Sequence, residues 1–238
     1  MMSKRSPIRH VPAPLHDVAA NIDYNRQPTK ITTGDPIMHP LNTVKGAITT
    51  GVILAVVIGI GLAYWMSNTA GFHGASLDRW LHIMSGVMWI GLLYYFNVVQ
   101  TPGLAVAAAD KGGPGGAGIS KYIAPRALLW FRWAAVATWV TGAYYLATAY
   151  GSDKVVAAFT LQSGFRVIGV GAWLGTIMLF NVWVFIWPNQ KKILGIVPAT
   201  DEEKAAARKT AGRASRINFI LSIPMLMCMG GQAHGLPF

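Results

Sequence analysis

Charge is what this sequence has least of. Asp, Glu, Lys and Arg make up 12% of its 238 residues, about half the share of roughly 25% usual in soluble domains, which argues against a soluble globular enzyme. Cysteine is scarcer still. The single thiol, Cys228, excludes an intrachain disulfide and a CxxCH haem attachment, which needs two thiols and a following His. Residues 1–44 lack the apolar core of about 7 to 15 residues that a cleaved signal requires. They are polar and dotted with proline. One reading lays them on the membrane surface or on a neighbouring subunit; the other is a disordered tail, because such a composition buries little surface by itself.

What the sequence does have is apolar content, 53% of all residues, gathered into long runs. A bilayer core is crossed by about 20 mostly apolar helical residues, and five stretches meet that length: residues 46–66, 77–99, 128–150, 165–187 and 217–236. The expected fold is therefore an all-α integral membrane protein, a bundle of about five transmembrane helices over residues 46–238 behind a polar extension of residues 1–45. The last run contains Pro224 and the pair Gly230 and Gly231, which membrane helices tolerate when neighbours satisfy the freed carbonyls.

The 20 basic residues outnumber 9 acidic ones, a balance that would suggest nucleic acid in a soluble chain. Their distribution gives another reason. Lys4, Arg5, Arg9, Arg26, Lys30 and Lys45 precede the first run; Lys111, Lys121 and Arg126 lie between the second and third, with Arg132 at the edge of the third. Lys191, Lys192, Lys204, Arg208, Lys209, Arg213 and Arg216 lie between the fourth and fifth. Only Arg79, Lys154 and Arg166 fall on the opposite side. Cytoplasmic loops retain positive charge, so the N-terminus is expected inside and the C-terminus outside a bacterial inner membrane. The partners are then the lipid bilayer and its anionic headgroups, with no nucleic acid.

Two inner loops are informative. KGGPGGAG, residues 111–118, reads as a flexible turn; it lacks the GKS or GKT ending of a phosphate cradle. DEEKAAARKTAGRASR, residues 201–216, carries acids first and bases last, matching a helix dipole, and is expected to be a short helix running into the fifth span.

Ionisable groups within a span are costly and therefore functional candidates. His82 lies about a turn and a half into the second span, on one helical face with Ser85, Gly86 and Trp89; Gly86 leaves room for a flat ring. His234 lies about 27 Å of helix beyond Arg216 at roughly 1.5 Å per residue. The sidedness argument then puts both imidazoles in the outer leaflet. Two neutral imidazoles facing each other across a bundle can hold a six-coordinate haem b, which makes His82 and His234 candidate iron ligands. Arg79 and Arg166 are candidates to pair with the porphyrin carboxylates, and His73 is a further candidate ligand. The competing readings are an interhelix contact for His82, an interfacial cap for His234 and snorkelling anchors for the arginines.

A second polar set, Asn97, Arg132, Asn181 and Asn218, falls toward the inner ends of four spans. It reads either as a site for a polar ligand or quinone head, or as hydrogen-bond glue around one charge. The aromatic runs WFRW (130–133), YY (94–95) and VWVFIW (182–187) read as interfacial belts and packing.

Four motifs in order, LHIMSGVMWIGLLYYFNVVQTP, LLWFRWAAVATWVTGAYYL, NVWVFIWPNQKKILG and ASRINFILSIPMLMCMGGQAHG, resemble the membrane domain of bacterial cytochrome-linked urate oxidases over about residues 77–235. The first motif also resembles membrane proteins of the copper-resistance D and protoporphyrinogen-oxidase J type, whose early helix histidine, followed by a Trp, is associated with haem. The resemblance implies a membrane domain passing electrons from a substrate to a cytochrome c, with His82 and His234 at the family's recurring histidine positions. In those oxidases a cytochrome c domain follows on the outer side. This sequence stops at Phe238, so the electron partner is expected on another chain; it also reads QAHG where the family more often has Asn before the His, which implies a different local contact there.

Three functions remain open on this reading. The first is a haem b electron-transfer subunit of a larger redox complex, with cytochrome c outside. The second is a urate-oxidising membrane domain using an external cytochrome c. The third is a cofactor-free structural subunit among other membrane subunits, with a variant in which His82 ligates a chlorophyll-type pigment.

Overall fold

The computed structural model describes residues 43–65 and 73–237. Every regular element among them is helical, and the chain divides into two units, Met1–Gly71 and Phe72–Phe238. The extension read from residues 1–42 lies outside the described residues.

In the first unit, α1 spans Val44–Trp65, about 33 Å at 1.5 Å per residue. After Lys45 it carries no charge. None of its residues is buried, and Ile53, Val57 and Leu62 stand exposed around its circumference. A helix apolar on all sides is suited to lipid rather than to water.

The second unit contains α2 (Gly74–Ala109), α3 (Ala124–Tyr150), α4 (Ser152–Phe159), α5 (Arg166–Ile193) and α6 (Asp201–His234). It is built from two helix pairs, α2 with α3 and α5 with α6, with short α4 packed on both α3 and α5. Trp89, Leu93, Phe131, Met178 and Val182 form the centre of the core where the pairs meet.

Helices α1, α2, α5 and α6 are long and apolar enough to cross a membrane. The third expected span, residues 128–150, is helical within α3 but is not among those four. Its Trp, Tyr and Thr residues and Arg132 make it the more polar wall of the bundle. The stretch 201–216 does run into the last span, as one unbroken 34-residue helix with Pro224 inside it. Its start is a capping box: the Thr200 hydroxyl accepts the Glu203 N–H at 3.2 Å, and the Glu203 carboxylate accepts the Thr200 N–H at 2.9 Å. Those bonds satisfy donors that a helix terminus otherwise leaves free.

Prolines shape the helices in a recurring way. Three π-helical turns, Tyr95–Gln100, Ile119–Ile123 and Asn181–Ile186, each end two residues before a proline, Pro102, Pro125 or Pro188. The N–H groups of Thr101, Ala124 and Trp187 reach back five residues, to the carbonyls of Phe96, Ile119 and Val182. Proline cannot donate to the carbonyl four residues earlier and its ring crowds that carbonyl. Widening the preceding turn accommodates both effects without ending the helix.

The second polar set is mostly committed to holding helices together. Asn181 donates to the Asn218 side-chain oxygen at 2.9 Å, and Asn218 donates to the Met178 carbonyl at 2.9 Å, joining α5 to α6. Asn97 bonds the Ser215 hydroxyl at 2.9 Å, joining α2 to α6. Ser222 and Tyr94 make a second α2–α6 bond at 3.2 Å. Arg132 takes no part in these bonds; its guanidinium lies 3.7 Å from the Trp187 ring centroid. The buried face of α6 is small, with Ala207, Ala211 and Ala214, so its backbone approaches its neighbours closely.

Replacing Asn218 by Leu should cost about 1–3 kcal/mol, because the Asn181 amide and the Met178 carbonyl lose their buried partner. Adding Asn181→Leu should then cost less than it does alone, since the two share a bond. Reversible unfolding in mixed micelles measures both; additive losses would show that the pair is not coupled.

Candidate functional site

Between the two helix pairs lies a cavity of about 630 Å³. His82, from α2, and His234, from the end of α6, both line it, although 152 positions separate them in sequence. Arg79, Gly86 and Trp89 line it as well.

His82 is held by α3. Its Nδ1 lies 2.8 Å from the Thr138 carbonyl oxygen. A carbonyl only accepts, so Nδ1 carries the proton and the Nε2 lone pair is left free; the same outer bond orients metal-ligating imidazoles in general. The contact depends on Gly142, one turn beyond Thr138. A Cβ there would lie 2.7 Å from the His82 Cε1 and 2.9 Å from Nδ1. Only glycine lets the ring settle against that stretch of α3.

His234 is the last residue of α6 and is exposed, and Gly235 ends the helix at a φ of 84°. Gln232, two residues earlier, fixes this end to α5. Its oxygen accepts the Ile168 N–H at 3.0 Å and its amide donates to the Gly164 carbonyl at 2.9 Å. The cavity wall is otherwise mainly apolar. Met225 and Met229 line it from α6, and at Gly91, Gly175 and Gly230 an added Cβ would meet nothing within 4 Å. Tyr145, Tyr150 and Phe165 form an aromatic edge, with Tyr150 edge-on to each of the other two.

Trp89 combines two features. It is only 2% exposed while its side chain contributes to the cavity lining, and its buried Nε1 has no hydrogen-bond partner among the described residues. A buried donor without an acceptor is costly, and Trp183 Nε1 and Gln100 Oε1, away from the cavity, are unmatched in the same way.

The remaining candidates separate clearly. Arg166 does not line the cavity; it is exposed at the start of α5, and its Nε donates to the Leu161 carbonyl at 3.4 Å. At a helix start, such a side chain can fold back onto the preceding loop. Ser85 is not part of the lining, and His73 stands at the N-terminal cap of α2, outside the cavity. Thr138, Gly142, Gln232 and the two tyrosines were not singled out from sequence. Gly142 and Thr138 lie four apart in TWVTG, but their role depends on which helix faces His82, which spacing along one helix does not specify.

Among the described residues, no three His, Cys, Asp or Glu side chains gather as a metal centre. The cavity therefore offers two imidazoles and no carboxylate. That donor set fits a metal that brings its own equatorial ligands, as a porphyrin does, better than a bare divalent ion, which takes three or four protein ligands. The open glycine positions and the oriented His82 are compatible with a flat macrocycle.

Residues 154–237 match the model of the urate oxidase N-terminal family. The matched segment runs through α5 and α6 and includes His234, while His82 and the α2–α3 pair lie outside it. The chain is similar to that family over this segment. No curated protein and no solved structure matched the chain.

Gly142→Ala should displace the His82 ring and break its bond to Thr138, with an overpacking cost of about 1–3 kcal/mol. Histidine ¹⁵N spectra report the Nδ1 proton directly. An unchanged Nδ1–H signal together with unchanged stability would show that Gly142 does not set the ring position.

Proposed function

We propose that this chain is a membrane-embedded, haem b-binding electron-transfer subunit of a larger redox complex. The observation that carries the reading is that His82, already oriented by a backbone carbonyl, opens onto the same cavity as His234. When bound, an iron porphyrin supplies a one-electron couple, with a potential tuned by its axial ligands and surroundings. The chain supplies the rest. His82 and His234 would hold the iron, and Arg79, which also lines the cavity, would pair with a porphyrin carboxylate. The glycines and methionines accommodate the ring and exclude water. Arg166, outside the cavity, is left as an interfacial anchor.

The charge distribution supports an orientation with the N-terminus inside and the C-terminus outside, and with α3 joining the four apolar helices as a fifth span. The cavity then faces the outer side of a bacterial inner membrane, within reach of a cytochrome c or a cytochrome c domain. Single cysteines at Lys192 and Lys154, introduced in a Cys228→Ser background, should be labelled by an impermeant maleimide from opposite sides of the membrane. Labelling from the same side would overturn the topology.

The family match favours a second reading, a urate-oxidising membrane domain that delivers electrons to an external cytochrome c. It rests on similarity over part of the chain, and activity is decided by the site rather than by the fold. Urate-dependent reduction of cytochrome c by membranes containing the chain tests it. No turnover with a folded, pigmented protein would leave the electron-carrier reading alone.

The purified chain should give a b-type reduced-minus-oxidised spectrum and a positive pyridine haemochromogen. His82→Ala should abolish the signal. His234→Ala should weaken or shift it, since that imidazole sits exposed at a helix end. A folded, colourless preparation would overturn the reading in favour of a structural subunit, and a chlorophyll-type spectrum would identify a different macrocycle.

A further inference from the structure

About 15 Å along α3 from Gly142, at 1.5 Å per residue, lies a second cluster that the cavity does not use. The Arg132 guanidinium is 3.7 Å from the Trp187 ring centroid, and the Lys191 ammonium is 6.0 Å from the same centroid. The two cations are thus at most about 10 Å apart, a bound set by those two distances. Trp187 is held in place by its own helix, where Trp183, one turn earlier, packs edge-on against Trp133 of α3 at 5.6 Å.

Neither cation has a carboxylate partner among the described residues. The ion pairs there are Asp153 with Lys154, Glu203 with Lys192 and Asp201 with Lys204. Glu203 thus engages Lys192 and leaves its neighbour Lys191 uncommitted. A guanidinium stacked on an indole uses its π face and keeps its in-plane N–H donors, which match a phosphate in two-point geometry. A cation beside an apolar phase is stabilised by a counter-charge.

The surroundings indicate where that charge comes from. On the same turn of α3, Trp130 and Trp133 are 60% and 55% exposed, and exposed tryptophans mark the headgroup level of a membrane. We propose that Arg132 and Lys191, arranged around Trp187 between α3 and α5, bind the phosphate of an anionic phospholipid. The site requires residence in a membrane and is independent of whether the cavity holds haem.

The test uses the full chain in neutral detergent, titrated with phosphatidylglycerol, phosphatidylcholine or inorganic phosphate and read by native mass spectrometry. One phosphatidylglycerol per chain should be retained in preference to phosphatidylcholine. Arg132→Gln should weaken it about tenfold or more, the scale of a lost charge-assisted hydrogen bond, and Lys191→Gln should weaken it less. Arg208→Gln, which removes an exposed base on α6, should leave binding unchanged. Equal retention of both lipids, or Arg132→Gln with undiminished phosphatidylglycerol binding, overturns the proposal. Binding of inorganic phosphate in place of lipid overturns it too, by showing a site for soluble anions. If Arg132→Gln does not fold, lipid selectivity of the unaltered chain and the loss in Lys191→Gln decide the matter.

Discussion

In an apolar surrounding, a polar group must find its partner inside the protein, and the hydroxyl and amide side chains at the helix contacts follow that constraint. Thr138, Thr141 and Thr176 return their hydroxyls to carbonyls on their own helices. Asn97, Asn181, Asn218 and Ser222 bond across helices. Pro102, Pro125 and Pro188 conform too, since the widened turns before them redirect neighbouring N–H groups to carbonyls five residues back. Against this background, the incompletely matched groups are informative. Trp89 Nε1, Trp183 Nε1 and Gln100 Oε1 are buried without a partner, and Arg132 has a ring but, among the described residues, no carboxylate.

The same constraint explains how much was legible in the sequence. Apolar runs of about 20 residues specify helices whatever their neighbours are, so all five expected spans are helical and their ends shift by only a few residues, except where the helix continues into polar sequence. Counting spans places His82 and His234 toward the same end of the bundle, and both line one cavity. Rotation about each helix axis is a different matter. Gly142 and Thr138 matter only because that face of α3 meets α2, and the register between helices is set by side-chain packing from both partners. Arg166 illustrates a related ambiguity: a helix-start arginine can reach toward the bundle or back along its own loop, and sequence alone favours neither.

Close packing and open space coexist in the bundle because glycine serves both. At Gly171, an added Cβ would lie 3.1 Å from the Cys228 Cβ, so this residue permits α5 and α6 to approach. At Gly175, one turn on, the same atom would meet nothing within 4 Å. The small face of α6 packs closely around Ala207, Ala211 and Ala214 near its start, and the cavity opens toward its other end, where Met225, Met229 and His234 line it. Substituting larger side chains across the first kind of glycine would strain the helices; across the second it would fill the cavity.

The two imidazoles differ in how they are held. His82 sits part-buried in mid-helix with one nitrogen committed to Thr138, so its orientation and tautomer are set before anything enters the cavity. His234 stands exposed at the end of α6, positioned through the Gln232 bonds two residues away. An occupant of the cavity would therefore meet one pre-oriented imidazole and one carried on a helix terminus. The α5–α6 segment similar to the urate oxidase N-terminal family supplies only the second of these. The site is composite, and whatever chemistry it performs depends on the α2–α3 pair that presents His82 as much as on the segment that carries the similarity.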